Sequence, residues 1–223
     1  MLHLPVTLSF RHFVGKTKAD WYKCFENLSF SVEMITFASV FSVRKMDKVC
    51  IGDKRFRLYI PQEKIAEKVG ELARRIAADM SGKNPLFVVL LNGAFVFAAD
   101  LLRAMDFPCE VEFMRVRSYD GTASTGSVEV IQDIRVDIQD RTVVLIEDIV
   151  DTGTTMHFLL QRLRERRPQS IKIAALLFKP ESLCYDFSVD YAAFRIPRDF
   201  IVGYGLDYNE QGRNLKDIYV IDD

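Results

Sequence analysis

The stretch "VVLIEDIVDTGTT", residues 143–155, gathers several chemically capable side chains in a short span. Two carboxylates, Glu147 and Asp148, follow an apolar run, and a third, Asp151, precedes a turn rich in threonine. Carboxylates at the end of a buried strand can accept hydrogen bonds from ligand hydroxyls or bind Mg²⁺. The spacing therefore indicates a site for a ligand that carries hydroxyl groups.

The turn that follows has the features of an anion site. The apolar positions 156, 159, 160 and 163 predict a helix that begins near Thr155, and its amino end directs free N–H groups at the turn. Hydroxyls come from the threonines of the turn, which are Thr152, Thr154 and Thr155. Gly153 permits close backbone approach. A phosphate suits these groups, and Asp151 would then take a proton from a neighbouring part of the substrate.

A sugar with a 5′-phosphate and two vicinal hydroxyls matches the whole stretch, but other interpretations compete with it. Asp-Thr-Gly by itself is also typical of an ordinary helix-capping turn. An aspartic protease would need two such aspartates sharing a proton, and the chain has one Asp-Thr-Gly, with a predicted helix after it. The stretches "GTASTGS" and "GYGLDY" lack the lysine and the third glycine, respectively, of nucleotide-binding loops.

Strand and helix patterns alternate along the chain and predict the elements that position these groups. Apolar runs typical of buried strands occupy 86–91, 142–148 and 171–179, and 111–117 is a further strand candidate. Helical spacing covers positions 65–76 and 98–105, and Pro61 suits a first helical position. The pattern predicts an α/β fold, with a mostly parallel twisted sheet flanked by helices. Ligands bind beyond the carboxyl ends of such strands. Asn92, Gly93, the 147–155 stretch and Lys179 should therefore share one rim.

Composition narrows the function further. The chain has 223 residues and a net charge of −1, which argues against nucleic acid or a membrane surface as the main partner. The four cysteines have no metal-ligand spacing, and we expect reduced thiols in a cytoplasmic protein. No apolar run approaches the roughly 18 residues of a membrane-spanning helix.

Residues 1–45 differ in composition and pattern from the rest of the chain. They are rich in phenylalanine, and their apolar residues show no clear helical or strand period. We expect an upstream extension from a misplaced start codon or a weakly ordered tail, with a genuine accessory segment as the alternative. The organised pattern begins at Met46, so the catalytic domain is predicted over 46–223.

Five motifs together resemble the type I phosphoribosyltransferases, and among these the hypoxanthine (6-oxopurine) phosphoribosyltransferase family. In chain order they are "LLNGAFVFAADL", "RSYDGTASTG", "VVLIEDIVDTGTTM", "LLFKP" and "DFIVGYGLDYNEQGRNL". The resemblance covers roughly residues 46 to 223 and implies the family fold, including a small hood from the N- and C-terminal segments. It also implies transfer of phosphoribose from phosphoribosyl pyrophosphate to a 6-oxopurine, with Mg²⁺, by a homodimer or homotetramer.

The resemblance assigns roles on the phosphoribose side of the site. Glu147 and Asp148 would bind the ribose hydroxyls, partly through Mg²⁺, and Asp207 would reach a second Mg²⁺. The 5′-phosphate would lie on residues 151–155. Backbone N–H groups of Asn92 and Gly93, together with Arg213, would contact pyrophosphate. Family members often have lysine where Asn92 and Thr154 stand, which would alter affinity for pyrophosphate and phosphate.

On the purine side, the resemblance makes Asp151 the group that handles the proton at N7. Lys179 would donate to the 6-oxygen, and Phe200 would stack on the base, although "FIV" alone is typical of a core strand. Ile201 and Asp207 would border the ring edge through backbone groups. Ser118 and Tyr119 would close over the transition state. A xanthine-preferring enzyme and a non-catalytic regulator that senses phosphoribosyl pyrophosphate remain the alternatives.

Overall fold

The computed structural model describes residues 47–118 and 128–222, which lie within a compact unit spanning Met46–Asp223. Within those ranges the chain forms ten strands and three α-helices. The strands are β1 (Lys48–Ile51), β2 (Lys54–Ile60), β3 (Leu86–Leu91), β4 (Glu110–Ser118), β5 (Val128–Gln132), β6 (Thr142–Val150), β7 (Ser170–Phe178), β8 (Tyr191–Arg195), β9 (Ile201–Val202) and β10 (Ile218–Ile221). The helices are α1 (Gln62–Met80), α2 (Phe95–Arg103) and α3 (Thr154–Arg164), and a 3-10 turn covers Pro180–Ser182.

The larger sheet has six strands in the order β5-β4-β3-β6-β7-β8. All of its neighbours pair in parallel except β5, which runs antiparallel to β4 at one edge. Strand order reverses between β3 and β6, because β4 lies on one side of this pair while β7 and β8 lie on the other. Such a reversal opens a crevice at the carboxyl ends of the strands. The predicted α/β class and mostly parallel sheet are confirmed.

Helices cover both faces of this sheet. On one face α1 buries a stripe that includes Ile65, Leu72 and Ile76, and with α2 it packs on Phe87 and Val89. On the other face α3 buries four side chains, which are Met156, Leu159, Leu160 and Leu163. Neighbouring residues of β3 alternate between the two cores, as expected for a strand covered on both sides.

The smaller sheet joins the two ends of the domain. Its order is β1-β2-β10-β9, and every pairing is antiparallel. Phe56, Val202 and Tyr219 form most of its own buried cluster. This sheet fits the hood expected from the N- and C-terminal segments, built from residues 48–60 and 201–221.

The predicted strand runs match β3, β4, β6 and β7 to within about two residues, which is the ordinary uncertainty of strand ends. The helical position of Pro61 was wrong by one residue: Pro61 is extended (φ −72°, ψ 151°) and caps α1, and its carbonyl accepts the Ile65 N–H at 3.1 Å. None of the helices in the described ranges is long and apolar enough to cross a membrane. Three of the four cysteines lie in those ranges, and all three are free thiols: Cys50, Cys109 and Cys184.

Candidate active site

The carboxyl ends of β3, β6 and β7 form one edge of the larger sheet. The register pairs Val89 with Ile146 and Val150 with Phe178, so the residues that follow these strands start at neighbouring positions. The Lys179 N–H continues this pairing by donating to the Val150 carbonyl at 2.9 Å. The sequence-predicted groups after these strands thus share one rim.

Residues 151–155, the turn after β6 together with the first residues of α3, bend at Gly153. Gly153 has φ +83°, a left-handed conformation that glycine adopts without steric cost, and its carbonyl accepts the His157 N–H at 2.8 Å. The hydroxyls of Thr152 and Thr154 lie 3.1 Å apart. Because α3 begins at Thr154, its free amino-terminal N–H groups belong to this turn. The geometry is that of an anion site with both backbone and hydroxyl donors.

A small cavity of about 100 Å³ connects this turn to Glu147. It is lined by Glu147 and by the residues from Ile149 to Met156. Glu147 and the five residues that the sequence proposed for the phosphate therefore border the same space: Asp151, Thr152, Gly153, Thr154 and Thr155.

Glu147 and Asp148 form a half-buried acidic pair near the end of β6. Burial, and secondly the neighbouring Asp148 carboxylate, raise the pKa of Glu147 well above its usual range. Burial likewise raises the pKa of Asp148, while the Arg213 guanidinium acts in the opposite direction. Oε2 of Glu147 is buried without a hydrogen-bond partner among the described residues. Such an atom is costly unless a ligand hydroxyl or a cation satisfies it.

The Asn92-Gly93 loop packs directly on this pair. The Leu91–Asn92 peptide bond is cis. A Cβ on Gly93 would lie 1.6 Å from Oδ2 of Asp148, and a Cβ on Gly205 would lie 2.2 Å from the Gly93 carbonyl oxygen. Side chains are therefore excluded at both glycines. The backbone at Gly93 packs between the Asp148 carboxylate and the backbone at Gly205.

Lys179 and Asp151 form an ion pair across the rim, with Nζ 2.7 Å from Oδ2. The Lys179 side chain is only 8% exposed, whereas that of Asp151 is 46% exposed. A nearly buried ammonium therefore points at a carboxylate that solvent and ligands can reach. Lys179 is therefore not an ordinary surface lysine.

Phe200 lies at the edge of the smaller sheet, and its side chain is 45% exposed. Its ring centroid is 6.2 Å from that of Phe56 and 5.9 Å from that of Tyr208, which meets it edge-on. Ile201, the next residue, is buried in β9. The core-strand interpretation of "FIV" thus holds for Ile201 and not for Phe200, which keeps a ring face available to a ligand.

Asp207 and Arg213 lie in the loop between β9 and β10 and contact each other. Nη2 of Arg213 is 2.8 Å from Oδ1 of Asp207, and its Nη1 donates to the Gly205 carbonyl at 2.9 Å. The other oxygen of Asp207 accepts the Glu210 N–H at 2.7 Å. Both side chains are partly exposed, so their proposed roles toward Mg²⁺ and pyrophosphate would require exchange of these partners.

The segment predicted to close over the transition state, Ser118 and Tyr119, lies only partly within the described residues. The backbone of Ser118 ends β4 opposite Val128 in an antiparallel pairing. Tyr119 and the residues up to 127 lie outside the described residues, so the closing role of Ser118 and Tyr119 stays a prediction.

The carboxylates of Glu147 and Asp148 suit Mg²⁺ as it is bound in enzymes that act on phosphate-bearing substrates. In the described ranges, no group of three or more His, Cys, Asp or Glu side chains is arranged to hold a metal ion. Mg²⁺ is commonly bound by one or two carboxylates together with substrate phosphates and water. Glu147 and Asp148 supply such a pair, and the unpartnered Oε2 of Glu147 marks the position that a ligand would satisfy.

Sequence reasoning missed two supports of the site. The Tyr204 hydroxyl donates to Asp100 of α2 at 2.5 Å, which ties the 203–213 loop to the helix after Asn92-Gly93. The second support is the segment 183–187, which packs against Gly153. The two glycines of "GYGLDY" mark the loop that carries the first support, Tyr204. Interpreting them as a nucleotide-binding loop does not identify this contact. No spacing of residues in the sequence marks the second support, the segment 183–187.

Comparison with known proteins agrees with this geometry. Residues 59–209 match the phosphoribosyl transferase domain family. The chain is 42% identical over 175 residues to a hypoxanthine-guanine phosphoribosyltransferase of Aquifex aeolicus, covering 78% of this chain and 98% of that protein. It is also 42% identical over 166 residues to the protein of that name from Streptococcus thermophilus, covering 74% of this chain and 92% of the relative.

Solved structures show the same likeness. The crystal structure of a hypoxanthine-guanine phosphoribosyltransferase from Bacillus anthracis, with a HEPES molecule in its active site, superposes with a TM-score of 0.70 at 40% identity, covering 74% of this chain and 98% of that one. A hypoxanthine phosphoribosyltransferase of Trypanosoma cruzi, in a ternary substrates complex, gives 0.69 at 40% identity, covering 74% and 94%.

Proposed function

The chain belongs to the hypoxanthine-guanine phosphoribosyltransferases, and from that premise we propose that it transfers the 5-phosphoribosyl group from phosphoribosyl pyrophosphate to hypoxanthine and also to guanine. The products are IMP or GMP and pyrophosphate, which makes it a purine salvage enzyme. A purine ring nitrogen forms the new bond to C1 of the ribose as the bond from C1 to pyrophosphate breaks.

The observation that carries this proposal is the Lys179–Asp151 pair at the start of the anion turn. Lysine can only donate hydrogen bonds, so it suits the 6-oxygen of hypoxanthine or guanine and not the 6-amino group of adenine. Asp151, 2.7 Å away, can take or return the proton at purine N7. The 5′-phosphate would lie on residues 152–155, directly after Asp151.

The acidic pair and the glycine loop suit the remaining part of the substrate. Glu147 and Asp148 would orient the two ribose hydroxyls, while the backbone of Asn92 and Gly93 would hold pyrophosphate together with Arg213. When bound, Mg²⁺ would neutralise charge on the pyrophosphate that leaves. Glu147 and Asp148 would hold that ion, with Asp207 as the proposed ligand of a second one.

Phe200 completes the purine site by offering an exposed ring to the base. Its neighbour Ile201 would border the ring edge through its backbone. Closure of Ser118 and Tyr119 would shield the oxocarbenium-like transition state from water. These groups orient the reactants and exclude solvent.

The test is pyrophosphate release from phosphoribosyl pyrophosphate and Mg²⁺ with each of four bases: hypoxanthine, guanine, xanthine and adenine. We expect turnover with hypoxanthine and guanine. Turnover with xanthine in preference to both would support the xanthine-preferring alternative. Turnover with adenine alone would contradict the role of Lys179, and no turnover with any base would leave the non-catalytic regulator.

We also propose that residues 46–223 form the catalytic domain and that the enzyme is a cytoplasmic homodimer or homotetramer. The family match and the aligned relatives support the first point, since they cover 59–209 and about three quarters of the chain respectively. Native mass measurement of the full chain would test the oligomeric state.

A further inference from the structure

Residues Leu183–Phe187, here called the buttress segment, lie directly behind the anion turn. They follow the 3-10 turn Pro180–Ser182 and precede β8. Several of their contacts reach the 152–157 stretch, which contains the groups that would bind the 5′-phosphate.

The first contact is with the glycine of the turn. A Cβ on Gly153 would lie 2.6 Å from Cδ1 of Leu183 and 2.9 Å from the ring of Phe187. Two apolar side chains therefore fill the space behind the left-handed residue. Because close-packed side chains leave few voids, the turn cannot relax in that direction while both are present.

Two further contacts hold the same stretch. The Cys184 N–H donates to the Thr152 carbonyl at 3.0 Å. The Tyr185 ring stacks on His157 of α3, with centroids 4.3 Å apart and planes 17° apart. The buttress segment thus touches the residue before Gly153, Gly153 itself and the first turn of the helix.

The segment is itself fixed at both ends. Before it, the Ser182 N–H donates to the Lys179 carbonyl at 3.1 Å. After it, Val189 is buried in the core beneath α3, and Phe187 packs on that core. A segment anchored on either side can hold the turn in one position, whereas a free loop could not.

We propose that the buttress segment positions the 5′-phosphate turn and that Phe187 is its principal positioning residue. The inference rests on the proposed function, since it takes residues 152–155 as the phosphate site. Removing the Phe187 ring would open a void behind Gly153 and let the backbone N–H groups leave their binding arrangement. Affinity for phosphate-bearing substrates should then fall, while groups that contact the purine keep their places.

The experiment compares three variants of the full-length protein with wild type: Phe187→Ala, Phe187→Leu and the control Phe107→Ala. Phe107 is a half-buried phenylalanine before β4, at the opposite edge of the sheet. For Phe187→Ala we expect the KM for phosphoribosyl pyrophosphate to rise about tenfold or more, since small misplacements of positioning groups are costly. The KM for hypoxanthine and kcat should change little, a pattern that indicates lost binding.

Phe187→Leu should restore most of the lost affinity, because leucine refills the void. Phe107→Ala should lower the melting temperature to a similar extent without a selective rise in either KM. A Phe187→Ala enzyme with an unchanged KM for phosphoribosyl pyrophosphate, or with both KM values raised equally, would overturn the proposal. If wild type itself showed no phosphoribosyl transfer, the proposed function would fail, so the two failures are distinguishable.

Discussion

Nζ of Lys179 lies 2.7 Å from Oδ2 of Asp151. The side chain proposed to recognise the purine 6-oxygen is thus ion-paired with the one proposed to move the purine proton. The purine base must bind beside this ion pair and contact both side chains. Each partner therefore influences both selection of the base and proton transfer, and variants of the two residues should be measured for both.

Asp151→Asn should lower kcat by about 10²–10⁴, the usual contribution of a general acid or base, because an amide cannot accept the N7 proton. KM values should change much less, since asparagine can still accept a hydrogen bond from Lys179. Steady-state kinetics with hypoxanthine would measure this. Asp106→Asn, at an exposed aspartate between α2 and β4, is the control. Unchanged kcat in Asp151→Asn would remove Asp151 from proton transfer.

Lys179→Met should reduce kcat/KM for hypoxanthine by roughly tenfold to a hundredfold, since a hydrogen bond to a charged group contributes about 1.5–3 kcal/mol. Discrimination against adenine should fall as well. Lys172→Met is a matched control, because Lys172 lies in β7, the strand that Lys179 follows, and is far from the rim. Its Nζ is 2.8 Å from Oδ1 of Asp190. Equal losses in the two variants, measured with both bases, would contradict the base-reading role.

Phe200→Ala should weaken binding of the purine by about 1–3 kcal/mol, the range for a base stacked on an aromatic ring. The free energy of unfolding should change little, because the side chain is 45% exposed. Phe113→Ala in β4 removes an equally exposed ring, also 45%, and serves as the control. The KM for each base and a thermal melt would be measured. A large loss of stability with unchanged KM would instead make Phe200 a structural residue.

Glu147→Gln should stabilise the fold at neutral pH while impairing Mg²⁺-dependent turnover. The pKa of Glu147 is raised in the folded state, so its favourable contribution is present below its ordinary pKa and is lost as pH rises through the folded value. Relative to wild type, the variant should therefore melt a few degrees higher near neutral pH and equally at pH values below 4.5, the ordinary pKa.

Thermal melts across this pH range would measure the effect. Glu165→Gln, at an exposed position after α3, controls for loss of one carboxylate and should leave the melting temperature unchanged. A pH-independent difference between wild type and Glu147→Gln would show that the effect does not come from titration of this carboxyl.

Gly93→Ala should abolish most activity, because its Cβ would lie 1.6 Å from Oδ2 of Asp148 and one of the two groups would have to move. Binding of phosphoribosyl pyrophosphate should weaken with it. Gly70→Ala in α1 is the control: its Cβ would meet only Nη1 of Arg74 at 3.7 Å, and alanine favours a helix by up to about 1 kcal/mol. Full activity in Gly93→Ala would contradict the close packing described for this loop.

The larger sheet could be predicted because its central strands are buried on both faces. Continuous apolar runs such as 86–91 and 142–148 then stand out from the polar turns between them. The acids and the threonine turn follow such a run, so their place on the rim was predictable as well. Strand β8, at Tyr191–Arg195, gave no such signal, since it is short and only one of its five residues is fully buried.

The contacts between side chains of the site could not be predicted from spacing. Asp151 and Lys179 are 28 residues apart, and only the parallel register of β6 and β7 brings them together. Asp207 and Arg213 are closer in sequence, yet their pairing depends on a loop built on positive-φ residues such as Gly205 and Asn209. Local patterns identify residues at the rim, whereas register and loop conformation decide which of them touch.

The separation of the chain into two sheets has a consequence for its thermodynamics. In the described residues the ladders β5-β4-β3-β6-β7-β8 and β1-β2-β10-β9 share no strand. Lys179 and the phosphate turn follow strands of the first, while Phe200 and Arg213 belong to the second. A bound nucleotide would act as a non-covalent crosslink between them. Saturation with IMP should therefore slow amide hydrogen exchange in β9 and β10 and raise the melting temperature.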